Sequence, residues 1–394
     1  MPYLTTDQPG IGGRLKVEPE DFVVEEVPLY LPSGQGQHVY FEIEKRGLST
    51  NAAKRKIARA LGVSPHAIGY AGLKDAQAVT RQTLSIDGIA PEAVETLDFP
   101  NIKILHVSRH QNKLKVGHLS GNRFIIKVRD VGEDALSTAQ AIMDTLTKTG
   151  VPNFYGTQRF GNRSNTHRLG ETLIRGDVAE FVAEYLGRPQ PQEAIVAQTA
   201  RHFVDEGRWE EALAQWPSAL SDERRVLAAI VRANGQIDDT FRALDKKSKS
   251  FFVSAYQSQL FNQLLTERLD SLGVLQTGDV AYIHKKGASF IVEDAEIEQP
   301  RADQFEISPS GPLFGPKMLL AEGEPGRRER AILAESNLSK EDFKVPGLKI
   351  RGDRRPYRFM VKNPKIWWDD GLVASFELPP GAYATTVMAE IMKD

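Results

Sequence analysis

Residues 69–82 read Gly69-Tyr70-Ala71-Gly72-Leu73-Lys74-Asp75-Ala76-Gln77-Ala78-Val79-Thr80-Arg81-Gln82. This is a glycine-permitted turn that presents a Lys–Asp pair, followed by a polar segment containing Arg81. Gly72 allows a backbone shape that residues with a Cβ resist. A carboxylate beside a cation stays ionised and can serve as nucleophile or base. The same residues also fit a plainer role, in which Asp75 caps a helix. Both readings stand on these residues alone.

Outward from this turn, residues 14–31 carry β-formers, Phe22-Val23-Val24 and Val27, after a turn-like Glu18-Pro19-Glu20-Asp21. His38 to Lys45 alternates like a strand. Asn51 to Leu61 reads as a helix with Ala52, Ala53, Ile57, Ala58 and Leu61 inward, and Lys54, Arg55 and Arg59 on the other face. Gly62 stops it. Residues 101–107 and 123–131 look like strands, and 133–149 like a helix ended by Gly150. From about 150 the texture turns helical, with patterns over 171–186, 208–215, 221–234 and 249–271. Short β-like runs follow at 279–283 and 288–293, then a helix near 326–336. Strand character returns at 372–378, before a final helix after 384. Ends with β character around a helix-rich middle predict an inserted domain.

The chain of 394 residues suits two or three domains, and 41% hydrophobic with 26% charged residues supplies ample core. No run of about 18 apolar residues predicts a membrane span. The start, Met1-Pro2-Tyr3-Leu4-Thr5-Thr6-Asp7, has no basic segment followed by an apolar one, which points to the cytoplasm. With no cysteine, thiol nucleophiles, disulfides, iron–sulfur clusters and Cys-ligated zinc are excluded. His106 and His110 are spaced i, i+4 and His118 follows, but no carboxylate accompanies them at ligand spacing, so we read a polar strand or loop and no metal. There is no Walker loop and no Gly-x-Gly-x-x-Gly, and no cofactor is expected.

Net charge is −2, yet residues 45–129 hold 15 Lys and Arg against 5 Asp and Glu, while residues 1–44 hold 2 against 8. A basic stretch is the footprint of a phosphate-binding surface, or else a solvated face neutralised by its neighbours.

Residues 69–82 closely resemble the signature of the TruD family of tRNA pseudouridine synthases, a Gly-x-Lys-Asp turn followed by Ala-Val-Thr-x-Gln. The resemblance covers nearly the whole chain. Lys16-Val17-Glu18-Pro19-Glu20-Asp21-Phe22-Val23-Val24-Glu25-Glu26 looks like the family's opening motif, Lys45-Arg46-Gly47-Leu48-Ser49-Thr50 its junction before the basic helix, and Gly121-Asn122-Arg123-Phe124 its Gly-Asn-x-Phe element. Val151 to Gly161 is similar to a further signature with one departure: the family's Asn-Tyr-Phe-Gly is Asn153-Phe154-Tyr155-Gly156 here, so the roles of Phe154 and Tyr155 do not carry over. Ser254 to Asn262 and Leu378 to Thr385 also resemble family segments.

The resemblance implies that Asp75 is the catalytic carboxylate, supported by Lys16. It assigns Phe124 to packing on the target base and Asn122 to organising the site. Lys74 and Arg81 flank Asp75 as expected substrate contacts. Lys54, Arg55 and Arg59, with Lys113, Lys115, Arg123 and Arg159, are expected phosphate clamps. The implied fold is α+β, a pseudouridine-synthase domain on a mainly antiparallel sheet built from 1–149 and 350–394. A largely helical inserted domain at 150–349 would complete a V-shaped molecule. The implied reaction isomerises uridine to pseudouridine in tRNA, with position 13 expected, without cofactor or metal, by a cytoplasmic monomer. The same residues could instead serve a non-catalytic RNA-binding protein, or a glycosylase that releases uracil.

Overall fold

The computed structural model describes residues 2–393. In chain order, β1 (Phe22–Pro28) and β2 (His38–Arg46) lead into α1 (Thr50–Ala60). Ser49 caps α1 by accepting from the Ala52 N–H. Ala53, Ile57 and Ala58 are its fully buried stripe, and each large apolar side chain so buried is worth roughly 1.5–3 kcal/mol. Gly62, at φ +68°, turns the chain away. Then come β3 (Gly69–Tyr70), β4 (Val79–Asp87), the short α2 (Pro91–Glu95), β5 (Ile102–His110), β6 (Leu119–Val128) and α3 (Ala135–Thr149).

The chain divides into two compact units, one formed by the residues up to Val151 and from Phe359 onward, the other by Pro152–Arg358. The boundary at Arg358 lies beyond the expected 349. The reason is a strand at Asp353–Pro356 that pairs with Ile307–Leu313 inside the second unit. That unit holds helices at Thr166–Arg175, Val178–Leu186, Ile195–Asp205, Trp209–Gln215, Ser221–Arg232 and Lys246–Glu267, and an antiparallel four-stranded sheet. The expected single helix over 171–186 is two helices, because Gly176 adopts a left-handed conformation and Asp177 caps the second. Gly170 lets the first of them cross the Lys246–Glu267 helix closely, since a Cβ there would overlap the Phe252 carbonyl.

The first unit closes with β7 (Lys362–Trp368), β8 (Leu372–Leu378) and α4 (Ala384–Met392). Its sheet runs β7-β8-β6-β1-β4-β2-β5, with β3 beside β4. Only the β1–β4 ladder is parallel among the described residues; the rest are antiparallel. The fold is thus α+β with a mainly antiparallel sheet, as expected. Alternation along the strands sorts the side chains. Val24 lies opposite Phe124 and Thr80, Phe124 opposite Phe376, and Thr80 opposite Lys45. This face packs with Ile142, Met143 and Leu146 of α3 and Val387 and Met388 of α4, and further along with Ile57 of α1.

The opposite face bears a charged lattice of Glu25, Arg81, Glu44, Arg123 and Glu377, which oppose one another across strands. Among the described residues, no helix is long and apolar enough to cross a membrane.

Candidate active site

Residues 71–78 form an irregular loop between β3 and β4, and Asp75 caps no helix. The loop is tied down by its main chain. Its Lys74 N–H donates to Thr50 Oγ1 at 2.9 Å, and Thr50 Oγ1 in turn donates to Gln82 Oε1 at 2.8 Å. Gln82 Nε2 reaches the Gly72 carbonyl at 3.4 Å. The Lys45 ammonium donates to the Asp75 carbonyl at 2.9 Å. Gly47 N–H closes on the Ala78 carbonyl at 3.3 Å and Gly117 N–H on the Ala71 carbonyl at 2.9 Å. With both ends and the middle fixed, the Asp75 carboxylate stands out to solvent, its side chain 66% exposed.

Lys16 supplies the cation beside it, Nζ lying 3.7 Å from Asp75 Oδ2. The same ammonium sits 4.3 Å from the centre of the Phe22 ring, a favourable cation–π arrangement. Phe22 packs edge-on against Phe124 at 6.2 Å, and Phe124 against Phe376 at 5.8 Å. Phe124 is therefore wedged into the core, 8% exposed. Asn122 lies opposite Glu26 and Leu378 on the neighbouring strands. Its Oδ1 is buried with no hydrogen-bond partner among the described residues.

Lys74 does not stand beside the Asp75 carboxylate as a surface cation. Its side chain turns inward and its ammonium pairs with Glu26 at 2.8 Å, both side chains almost wholly buried. Burial pushes the Glu26 carboxyl up, against the pull of Lys74.

The expected phosphate contacts separate into groups. Arg55 and Arg59 are exposed on α1 with no ion pair among the described residues, and Lys54 lies over the Tyr70 ring at 4.3 Å. Burial and neighbouring Lys113 pull the Lys54 ammonium down, so two lysines share this patch. Lys113 donates to the His66 carbonyl and Lys115 is exposed. Arg81, by contrast, binds Glu25 at 2.7 Å and Glu44 at 2.8 Å. Arg123 binds Glu377 at 2.7 Å. Both point to the sheet face opposite Thr80, Phe124 and Lys45, so their donors are already engaged and turned away from Asp75.

Arg159 lies in the second unit, bonded to the hydroxyls of Ser258 and Ser254 and over the rings of Tyr155 and Phe251. Phe154 and Tyr155 are both buried. His110 stacks on Tyr30, and His118 Nδ1 lies 2.7 Å from the Tyr30 hydroxyl. Among the described residues no group of three His, Asp or Glu is placed to hold a metal ion.

Sequence reasoning passed over Lys45, Thr50, Gln82, Glu26 and Phe22. One signal was present: in the alternating run from Val39, the inward positions Val39, Phe41 and Ile43 are followed by Lys45. A lysine at a core position of a strand is an anomaly that asks for a partner.

A family model described as tRNA pseudouridine synthase D (TruD) matches residues 1–391. The chain is 46% identical over 393 residues to the tRNA pseudouridine synthase D of Geobacter metallireducens, covering 99% of this chain and 97% of the relative. It is 44% identical to that of Syntrophotalea carbinolica, covering 99% and 98%. Its fold is similar to the crystal structure of a putative tRNA pseudouridine synthase D from Methanosarcina mazei, with a TM-score of 0.88 at 30% identity over 100% of this chain and 96% of that one. The family match, the relatives and the shared fold all run along nearly the whole chain. The chain belongs to the tRNA pseudouridine synthase D (TruD) family.

Proposed function

We propose that the Asp75 carboxylate is the group with which this chain, a tRNA pseudouridine synthase by family, isomerises uridine to pseudouridine in tRNA. The observation that carries the assignment is the pairing of an exposed Asp75 carboxylate with the Lys16 ammonium, on a loop whose backbone is anchored at Ala71, Gly72, Lys74, Asp75 and Ala78. The reaction breaks the N1–C1′ bond, turns the base, and joins C5 to C1′, so the atoms of the RNA are conserved. The base must leave its stack to be reached, which costs a few kcal/mol.

Lys16 places a positive charge 3.7 Å from the carboxylate. Asn122 Oδ1, an acceptor without a partner, is available to an N–H of the uracil edge. Phe124, held between Phe22 and Phe376, backs the base site as a rigid wall. Lys54, Arg55, Arg59, Lys113 and Lys115, none of them in an ion pair among the described residues, give the RNA backbone a basic surface. Lys74 serves the loop from inside and does not contact RNA. Arg81 and Arg123 brace the sheet. Pro152–Arg358 is the family's inserted domain, and Arg159 contacts RNA from it. The reading includes the uridine at tRNA position 13 as target and a monomer working in the cytoplasm, where tRNA resides.

The test is incubation with unmodified tRNA and mapping of pseudouridine at single-nucleotide resolution, beside Asp75→Asn. New pseudouridine that disappears in Asp75→Asn is expected. An active Asp75→Asn protein removes the assignment, and free uracil in the reaction points to a glycosylase.

A further inference from the structure

Lys45 is one of the largest fully buried side chains of the first unit, at 0% exposure. Among the described residues its ammonium has no carboxylate within ion-pairing distance. It donates to two main-chain oxygens, those of Leu48 and of Asp75. Directly across the ladder is Thr80, whose hydroxyl is buried and has no hydrogen-bond partner among the described residues.

This arrangement is costly. An ammonium taken out of water loses its solvation, and neutral carbonyls return only part of it. Lys74, one residue before Asp75 in the loop, has Glu26 as counter-charge at 2.8 Å; among the described residues Lys45 has no carboxylate at such a distance. A methionine would fill the same volume without the penalty. The charge therefore does something that packing does not. Its two acceptors identify what. Leu48 belongs to the turn immediately before Ser49, the cap of α1, and Asp75 is the residue whose carboxylate stands exposed. One buried ammonium pins the start of the helix that carries Lys54, Arg55 and Arg59 to the main chain of Asp75.

We propose that Lys45 is a positioning residue for the isomerisation, fixing the Asp75 main chain against the turn that starts α1 so that the carboxylate is held at one height above the sheet. The proposal rests on Asp75 being the reacting carboxylate. Lys45 touches no substrate; it acts through Asp75. Burial brings its ammonium down to about 8, with the Asp75 charge opposing that shift and Lys74 adding to it. Among the described residues no other charged group shifts it: β4 presents Thr80 and Gln82, β5 presents Ile102, the first turn of α1 presents Thr50, and Glu44 and Arg46 of its own strand point to the other face. Raising the pH through about 8 thus converts the clamp to an amine, which holds two carbonyls more weakly.

The experiment uses the full chain and unmodified tRNA under single-turnover conditions, with Lys45→Met, Lys45→Arg and Asp75→Asn. Lys45→Met is expected to lower the rate of pseudouridine formation about ten- to hundredfold. Its tRNA affinity should stay within about threefold of wild type, and its Tm should be equal or higher, because an unpaired buried charge has gone. Lys45→Arg, a permanent cation, is expected to recover most of the rate and to carry the alkaline fall in rate to higher pH than wild type, which should decline above about pH 8. Lys45→Met with a wild-type rate, alongside inactive Asp75→Asn, overturns the Lys45 inference and leaves the Asp75 reading intact. A fully active Asp75→Asn protein overturns the reading on which it rests. A loss in Lys45→Met that tracks a lowered Tm and vanishes on cooling also overturns the inference, by reducing Lys45 to a structural role. If Lys45→Met does not fold, an unchanged alkaline limb in Lys45→Arg overturns it.

Discussion

Lys16 reaches to 3.7 Å from the Asp75 carboxylate out of a left-handed backbone, φ +56°, that lysine seldom adopts. Such a conformation costs on the order of 1–3 kcal/mol and persists where its surroundings dictate it. Here the single 3-10 turn at Pro19–Asp21 and the bridge between Arg14 and Arg129 hold the chain on either side. Asparagine tolerates this region far better than most residues. Lys16→Asn should therefore keep the melting temperature within a few degrees while cutting the single-turnover rate by about tenfold or more. Lys16→Val should lose both rate and about 1–2 kcal/mol of stability. Calorimetry beside the tRNA assay separates the two, and an active Lys16→Asn protein would count against the ion pair.

The Glu26–Lys74 pair is enclosed on all sides. Removing one partner leaves a buried charge unpaired, so Glu26→Ala should destabilise the first unit by about 3–5 kcal/mol. Replacing both residues together with Leu and Met should recover most of that loss. Denaturant titration of the single and double variants decides it, and a mild Glu26→Ala would mean that water reaches Lys74.

Salt dependence should divide the cations. Lys54, Arg55 and Arg59 have no carboxylate partners among the described residues, so alanine at each should weaken tRNA binding and lower the slope of log K against log salt by about one. Arg81 and Arg123 are already bound to Glu25, Glu44 and Glu377 on the far face. Arg81→Ala should leave that slope unchanged. A slope that falls equally in all of them would place RNA on both faces of the sheet.

His284 in the second unit is pushed down to about 4 by burial beside Arg358, and its Nε2 lies 2.9 Å from the Ser308 hydroxyl. The folded protein keeps this imidazole neutral while the unfolded chain takes up a proton below its ordinary pKa of about 6.5. The unfolded state thus binds more protons in this window, and stability falls as pH drops from 6.5 towards 4. His284→Gln should flatten that part of the curve. Thermal midpoints measured from pH 7 to pH 4 check this, and parallel curves for the two proteins would refute it.

Phe124 illustrates why activity alone is a poor guide to its role. It is wedged between Phe22 and Phe376, so Phe124→Ala should cost about 3–5 kcal/mol besides any effect on the base. Phe124→Leu, which keeps most of the packing, is the variant whose rate reports on stacking, read against its own Tm.

Several elements were legible in the residues themselves. The stripe of Ala53, Ile57 and Ala58 and its stop at Gly62 define α1 and leave Lys54, Arg55 and Arg59 outside, because a helix sorts its faces by local period. The Lys74-Asp75 turn is likewise local: Gly72 and the polar run permit it whatever surrounds them. Other elements were not legible. Ile307–Leu313 is a buried central strand containing Pro309, Gly311 and Pro312, residues that argue against a strand until its neighbours at Val280–Ile283 and Asp353–Pro356 are in place. Val79–Asp87 reads as a polar segment because its buried face carries Thr80 and Gln82 beside Leu84 and Ile86, and Gln82 serves the neighbouring loop and helix start.

Chain chemistry by itself thus determined that an exposed-type carboxylate follows a glycine turn and that a basic helix precedes it, since propensity, period and turn geometry act over a few residues. Tertiary structure decided which cation meets which carboxylate. Lys16 and not its neighbour Lys74 faces Asp75, Arg81 faces away, and Lys45 grips the loop from beneath. Those choices depend on β1 lying parallel to β4 and on β2 bordering β4. Coulomb attraction and burial are set by distances in space, and sequence spacing alone does not contain them.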